Sequence, residues 1–438
     1  VWPVEEYGEA ELDQSVPQRF EKLVARYPHR PAAMGECYQF TYSQLNAAAN
    51  RIAHTVLDRR GPGEEPVAIL LDNDALAVAA MLGILKAGKF YVPLDPAIPR
   101  ERLGYFVSDS TAALIVTDTA HEPLARSLAQ RDQAPLNVDS LDAGHGGADL
   151  KLPISSDALA YIYYTSGSSG KPKGVYTRQR TLLHRVLRNA DFFQFRASDR
   201  LSCIRSLSFS GSIKDVYCAV LTGASVWLFD VRSQGFVQMA RWLEETEITI
   251  FVSVATSYRQ LVAALGAGQS LPTMRAMHIG GEPIRWSDLD LHEQHFHPTC
   301  RLAFGLGITE TGNVTRLFVD RGMQGEGEDV PAGYLLSGME VLILDEAGRE
   351  LAPGQVGQIA VRSEHLALGY WRQPELTRAR FLPDPAGSSA RVYLTGDMGY
   401  LRSDGCLFCL GRADDQVKVA GHRVELGEIE QVLLAHPQ

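Results

Sequence analysis

Cysteine is scarce in this 438-residue chain: six residues, at positions 37, 203, 218, 300, 406 and 409, too few and too scattered for a disulfide framework and in keeping with a reducing, cytoplasmic setting. Cys406 and Cys409 form a C-x-x-C, but no second pair completes a zinc set, and GYLRSDGCLFCLGR reads as a hairpin whose residues three apart face opposite sides. The histidine cluster HEQHFH is not H-E-x-x-H, since His292 and His295 are three apart, so it reads as a surface helix end. Excess positive charge is also missing: 42 Lys and Arg against 52 Asp and Glu give a net charge of −10, which argues against a nucleic-acid partner gripped through its phosphates. Long apolar runs are absent. The most apolar helical stretch, Ala75 to Leu85, is far too short to span a bilayer and is followed by Lys86. Val1 to Glu11 is acidic where a secretory signal needs a basic and then apolar run, and the missing initiator Met suggests excision from a longer chain. There is no internal repeat and no low-complexity tract beyond the loop AGHGGAD.

What remains is an ordinary globular composition, 45% apolar and 21% charged, long enough for two or three domains. Val1 to Pro17 is polar and irregular, a linker by composition. Apolar spacing predicts a helix over Val16 to Tyr27, and Thr41 caps a second, TYSQLNAAANRIAHTVLDRR, with Leu45, Ala49, Ile52, Ala53 and Val56 on one face. Strands and helices then alternate: VAILLDN, ALAVAAMLGILKAG, FYVPLDP, PRERLGYFVSDS, AALIVTD, and later ASVWLFD, FVQMARWLEETE, ITIFVSV and MRAMHIGGEP. That order predicts an α/β fold with mostly parallel, helix-covered sheets. From about residue 330 to 413 short strands between glycine and proline turns suggest a small antiparallel barrel.

The stretch Tyr161 to Val175, YIYYTSGSSGKPKGV, is an aromatic strand emptying into Thr, Ser, Gly, Pro and Lys. Such a loop cannot pack a core. Its hydroxyls, backbone N–H groups and lysines suit oxyanions such as nucleotide phosphates, although a surface turn has the same composition. It lacks the G-x-x-x-x-G-K-[ST] of phosphate-loop ATPases and kinases, because Lys173 precedes Gly174.

Seven blocks in order make the sequence resemble the adenylate-forming enzymes, in particular the adenylation domains of nonribosomal peptide synthetases: FTYSQLNAAANRIA, ILKAGKFYVPLDPAIPRERL, TSGSSGKPKG, GITET, GQIAVRSEHLALGYW, YLTGD and GRADDQVKVAGHRVELGEIE. The resemblance covers nearly the whole chain. It implies a large adenylate-forming core over residues 18–413, a hinge at Asp414, and residues 414–438 as the start of a small α+β C-terminal domain. It further implies ATP and Mg2+ as cofactors, activation of a carboxylic acid to an acyl-adenylate, and transfer to the phosphopantetheine thiol of a carrier protein amid neighbouring synthetase domains. For nucleotide it implies Thr165, Ser166, Gly167, Ser168, Ser169, Gly170 and Lys173 around the phosphates, and Gly280, Gly281, Glu282, Gly305, Leu306 and Gly307 beside them. Thr309 would meet the α-phosphate, Glu310 the Mg2+, and Asp397 with Arg412 the ribose. Lys173, Thr309 and Glu310 are the implied catalytic residues, and Lys171 is expected in solvent. The family's C-terminal catalytic lysine lies beyond Gln438, so impaired adenylation is expected of this chain alone.

The implied acid pocket comprises Phe209, Ser210, Gly211, Lys214, Ser253, His278, Gly280, Gly305, Asn313 and Val314. Amino-acid-activating members carry an Asp after the Phe, to pair with the substrate ammonium; here it is Ser210. A hydroxyl cannot offset desolvation of an ammonium, which points to an aryl, α-keto, α-hydroxy or other acyl acid. Three glycines leave room for a bulky group. Lys214 and His278 either meet an oxygen of the substrate or serve structurally, Lys214 by pairing with Asp215 and His278 as a core histidine. The family's adenine-stacking aromatic is replaced by Leu306, with Phe304 two positions back. A free-standing acyl-CoA ligase and a catalytically silent scaffold module stand as alternatives. Block two and the GRADD block look like the synthetase type, and the retained Lys173, Thr309, Glu310, Asp397 and Arg412 oppose a silent module.

Overall fold

The computed structural model describes residues 8–129, 134–141, 147–167, 171–266, 271–325, 329–413, 416–419, 422–425, 429 and 433. The chain divides into two compact units, Val1–Tyr164 with Tyr176–Ser233, and Thr165–Val175 with Gln234–Gln438. The boundary within the core thus falls at 233/234, and the glycine-rich loop belongs to the second unit although its feeding strand belongs to the first. The expected hinge, Asp414, lies outside the described residues.

In the first unit, five parallel strands lie in the order Leu136–Asn137, Leu114–Thr117, Pro66–Leu70, Phe90–Leu94 and Leu159–Thr165. A further run places Arg200–Cys203, Ser225–Leu228 and Pro31–Met34 in parallel, with Gln39–Thr41 antiparallel beside the last. Local chemistry fixes the helices. Thr41 caps Tyr42–Arg60 in a reciprocal capping box with Gln44, and Gly61, at φ +67, ends it. The helix Ala75–Lys86 is apolar all round and almost wholly buried. It crosses Tyr42–Arg60 so closely that a Cβ on Gly83 would sit 2.7 Å from the Ala49 carbonyl oxygen. Lys86 is buried, paired with Glu21 and, at 3.2 Å, with Asp149.

The stretch read as a linker holds structure from Glu9 onward. A 3-10 turn spans Glu9–Asp13, and Ser15 and Gln18 form a capping box that starts a helix at Val16. Polar composition hid this, because within residues 9–17 the buried positions are only Leu12, Ser15, Val16 and Pro17.

In the second unit, Ile250–Ser253, Ala276–Ile279 and Arg301–Phe304 run parallel, followed by antiparallel Thr315–Val319 and Tyr334–Leu335. The region expected as a small barrel is a five-stranded antiparallel sheet. Glu340–Leu344, Gly357–Ser363 and the long strand Arg391–Leu401 are neighbours, and both Phe381–Pro383 and Leu407–Arg412 pair with that long strand. The branching arises because the strand is long: Phe381–Pro383 pairs with its first residues, 391–393, and Leu407–Arg412 with its last, 397–401. A hairpin, Gln416–Val419 with His422–Glu425, follows. Among the described residues no helix is long and apolar enough to cross a membrane.

Candidate active site

Tyrosines anchor the strand that feeds the loop. Tyr161 and Tyr163 are buried and packed edge-on at 5.0 Å, Arg185 donates to the Tyr161 hydroxyl at 2.8 Å, and the Tyr163 hydroxyl donates to the Leu207 carbonyl at 3.0 Å. On the opposite face Tyr164 stacks on Phe106 at 4.4 Å and donates to Asp109 at 2.7 Å. At the end of this strand the Thr165 hydroxyl oxygen is buried with no hydrogen-bond partner in the protein. Gly167 approaches the Lys171 carbonyl oxygen so tightly that a Cβ would lie 2.2 Å from it, which makes glycine obligatory there. Ser166 is buried. Ser168, Ser169 and Gly170 lie outside the described residues.

The two lysines part company after the loop. Lys171 is exposed and Lys173 buried. The Lys173 ammonium lies 3.6 Å from Glu310 Oε1 and donates to the Tyr370 hydroxyl at 3.2 Å. That hydroxyl donates to Glu310 Oε1 at 2.9 Å and lies 3.3 Å from the Tyr393 hydroxyl. Burial first, then the Glu310 charge, raise the Tyr370 phenol well above its ordinary value and keep it a donor. Glu310 itself is fully buried, and the adjacent Thr309 is half-buried. A buried carboxylate of this kind fits a Mg2+ that arrives with phosphate oxygens and keeps several waters, because such an ion needs few protein ligands.

Asp397 and Arg412 face one another across paired strands, joined at 2.9 Å, and Arg412 also donates to the Thr395 carbonyl at 3.2 Å. The second Asp397 oxygen, Oδ2, is buried and accepts nothing from the protein. An orphaned carboxylate oxygen beside a fixed guanidinium is a natural acceptor for a ligand hydroxyl.

Several predicted residues have tightly defined backbone roles. A Cβ on Gly305 would fall 2.1 Å from the Thr315 carbonyl oxygen, and one on Gly280 would fall 3.2 Å from the buried His278 ring. Gly307 pairs with Asn313 in a short antiparallel ladder, Val314 donates to the Leu306 carbonyl at 2.8 Å, and Leu306 and Val314 are buried. Gly281 takes φ +84, and the following Glu282 accepts from the Thr256 N–H at 2.8 Å and the Thr256 hydroxyl at 3.0 Å. Glu282 therefore fastens its loop to the helix Ala255–Ala264. Ser253 is buried and donates to the Val254 carbonyl at 2.7 Å. Phe304 is a buried strand residue opposite Leu317.

Phe209, Ser210, Gly211 and Lys214 belong to the first unit. There Asp215 is fully buried and held by Arg205 at 2.8 Å and by Lys214 at 3.4 Å. Arg205 also lies over the Phe209 ring at 5.8 Å and close to Gly211. Tyr370 and Arg205 were not anticipated as site residues. The motif GYW contains the first, but nothing in its spacing reveals a partner 197 residues away.

A glycine loop, a buried Lys–Glu pair and an Asp–Arg pair whose Asp397 Oδ2 accepts nothing from the protein are chemically suited to a nucleotide. The chain belongs to the family described as AMP-binding enzyme, whose profile matches residues 20–371. Within that family it is an adenylation domain of the nonribosomal peptide synthetase type. It is 33% identical to tyrocidine synthase 3 of Brevibacillus parabrevis over 97% of this chain, and spans 6% of that protein. Among solved structures it is similar to the nonribosomal peptide synthetase FmoA3 in its alpha-methyl-L-serine-AMP bound form, with TM-score 0.85 and 28% identity over 98% of this chain and 47% of that one. It is also similar to holo-PA1221, which contains adenylation and PCP domains bound to a vinylsulfonamide inhibitor, with TM-score 0.83 and 26% identity over 97% of this chain and 72% of that one.

Proposed function

We propose that this domain uses ATP to activate a carboxylic acid and loads the acyl group onto a carrier protein's phosphopantetheine thiol. The observation that carries the reading is the buried Lys173–Glu310 pair, 3.6 Å apart, in a chain matched to AMP-binding enzymes. A substrate carboxylate oxygen attacks the α-phosphorus, the bond to the bridging oxygen breaks, and pyrophosphate leaves with the electron pair. The carrier thiolate then attacks the acyl carbonyl and AMP departs. Both steps need negative charge met as it grows on phosphate oxygens, so fixed cations outweigh acid–base chemistry here. Lys173 supplies one such charge against the β- and γ-phosphates, with Thr165, Ser166, Gly167 and the rest of the loop donating around them. Thr309 meets the α-phosphate. Glu310 would hold Mg2+, which would supply further charge neutralisation. Asp397 Oδ2 accepts from the ribose, with Arg412 holding the carboxylate in place. The carrier partner is supported by relatives that are synthetases and by a similar structure that pairs adenylation and PCP domains.

For the acid we propose a substrate without a free α-amine. Ser210 stands where a carboxylate would pair with an ammonium, and the neighbouring Asp215 is already committed to Arg205 and Lys214. Two cations on one carboxylate leave the segment net positive, which repels an ammonium and favours an oxygen-rich acyl group. ATP–pyrophosphate exchange against amino, keto, hydroxy, aryl and fatty acids, measured on the chain extended beyond Gln438 through the family's catalytic lysine, tests both statements. Exchange is expected with one of the last four classes. Strong exchange with an ordinary α-amino acid alone would sink the Ser210 argument, and exchange with no acid at all would sink the activity.

A further inference from the structure

Tyr370 touches both charged groups of the proposed phosphate site, Lys173 and Glu310. We propose that it is a positioning residue: its hydroxyl holds Lys173 and Glu310 as a parked ion pair and releases both, in register, to the phosphates and metal of an arriving Mg·ATP. The proposal rests on the nucleotide reading above and adds the residue that sets the geometry of its two charges.

A hydroxyl has one proton and two lone pairs, so it can serve an ammonium and a carboxylate at once. Tyr370 does so, accepting from Lys173 at 3.2 Å and donating to Glu310 at 2.9 Å. Its ring also lies under the Lys173 ammonium at 4.4 Å, a contact that does not depend on the hydroxyl. The backbone repeats the pattern. Trp371 N–H donates to the Gly174 carbonyl at 2.7 Å, next to Lys173, and Ala367 N–H donates to the Glu310 carbonyl at 2.8 Å. The segment 367–371 is therefore bonded to both chain segments that carry the charges.

That segment is itself held from outside. Tyr370 N–H donates to the Thr377 hydroxyl at 3.0 Å, and Arg391 donates to the Leu368 carbonyl at 2.9 Å. Gly369 sits at φ +147 with Thr377 so near that a Cβ would lie 2.4 Å from its methyl group. Each outer contact restrains the backbone that aims the phenol, which is the arrangement expected of a positioning group. The competing account is that Tyr370 fills the core beside Phe381, 5.7 Å away. The two accounts separate on the hydroxyl alone.

The test compares Tyr370→Phe and Tyr370→Leu with the wild-type chain, by calorimetric binding of Mg·adenylyl imidodiphosphate and of AMP, and by pyrophosphate exchange. The Phe variant keeps the ring, its packing and the cation contact. It is expected to melt like the wild type, to bind the triphosphate analogue at least tenfold more weakly, and to bind AMP within about twofold of wild type. Where exchange is measurable, its KM for ATP rises by the same factor. A Phe variant equal to wild type on both nucleotides, with the Leu variant weak on both, shows a core filler and overturns the proposal. Equal loss for AMP and for the analogue overturns it too. Should the wild type bind both nucleotides but exchange pyrophosphate with no acid, the Tyr370 assignment would stand on the binding data while the acid-activation reading fell.

Discussion

Lys171 and Lys173 stand two positions apart in one loop and meet opposite surroundings, the first exposed and the second buried against Glu310 and Tyr370. A solvated lysine is interchangeable with most polar residues, whereas a buried one is fixed by its partners. Lys173→Met keeps the length and removes the charge. It is expected to lower kcat/KM for ATP in pyrophosphate exchange by about 10²–10³, the usual cost of losing one fixed donor to developing oxyanion charge. It should also lower the melting temperature, because Glu310 would then be buried without its cation. Lys171→Met is the control, expected within about twofold of wild type on both measures. Parallel loss in the two variants would show that loop charge in general, not the buried ammonium, is what counts.

At the scale of elements, the helix Trp286–His295 shows how a surface-looking motif can turn inward. His292 is buried and stacked on Phe296 at 5.4 Å, and its Nε2 has no hydrogen-bond partner in the protein. HEQHFH therefore packs its first histidine as a core residue. Burial, with the Arg321 guanidinium adding and Glu293 opposing, pushes this imidazole down to about 4 from its ordinary value of 6.5. The folded form then resists a proton that the unfolded chain accepts. The contribution is complete above about pH 6.5 and drains away as the pH falls toward 4, by about 3 kcal/mol at most. Urea titrations should show wild type losing about 2 kcal/mol more stability between pH 7 and pH 5 than His292→Leu does. Identical pH slopes would mean that His292 takes up its proton in the folded state as readily as in the unfolded one. The HEQHFH motif could be read as a helix end, but it could not be oriented: six polar or charged neighbours on a ten-residue helix leave the buried face undecided until Leu289, Phe296 and Arg321 close around it.

For the molecule as a whole, elements were more legible than assemblies. Thr41 and its capping partner Gln44, the alternating strands and helices, and the glycine loop all follow from short-range chemistry written in adjacent residues. The division at 233/234, the branching of the antiparallel sheet at Arg391–Leu401 and the role of Tyr370 depend on segments far apart in the chain, which no local spacing encodes. One consequence of the division can be measured. Every described residue expected to contact ATP, from Thr165 to Gly167, then Lys173, Gly280 to Glu282, Gly305 to Gly307, Thr309, Asp397 and Arg412, falls in the second unit, even though the loop lies early in the sequence. A ligand stabilises what it binds, by about 2.7 kcal/mol at a hundredfold excess over its Kd. Hydrogen exchange with saturating Mg·adenylyl imidodiphosphate should therefore slow about a hundredfold in Ala276–Ile279 and Arg391–Leu401, while Pro66–Leu70 in the first unit changes little. If the strands of both units slow equally, the units open together and the binding energy is shared across the chain; if only the second slows, the glycine loop has been recruited, against its position in sequence, into the unit that holds the nucleotide.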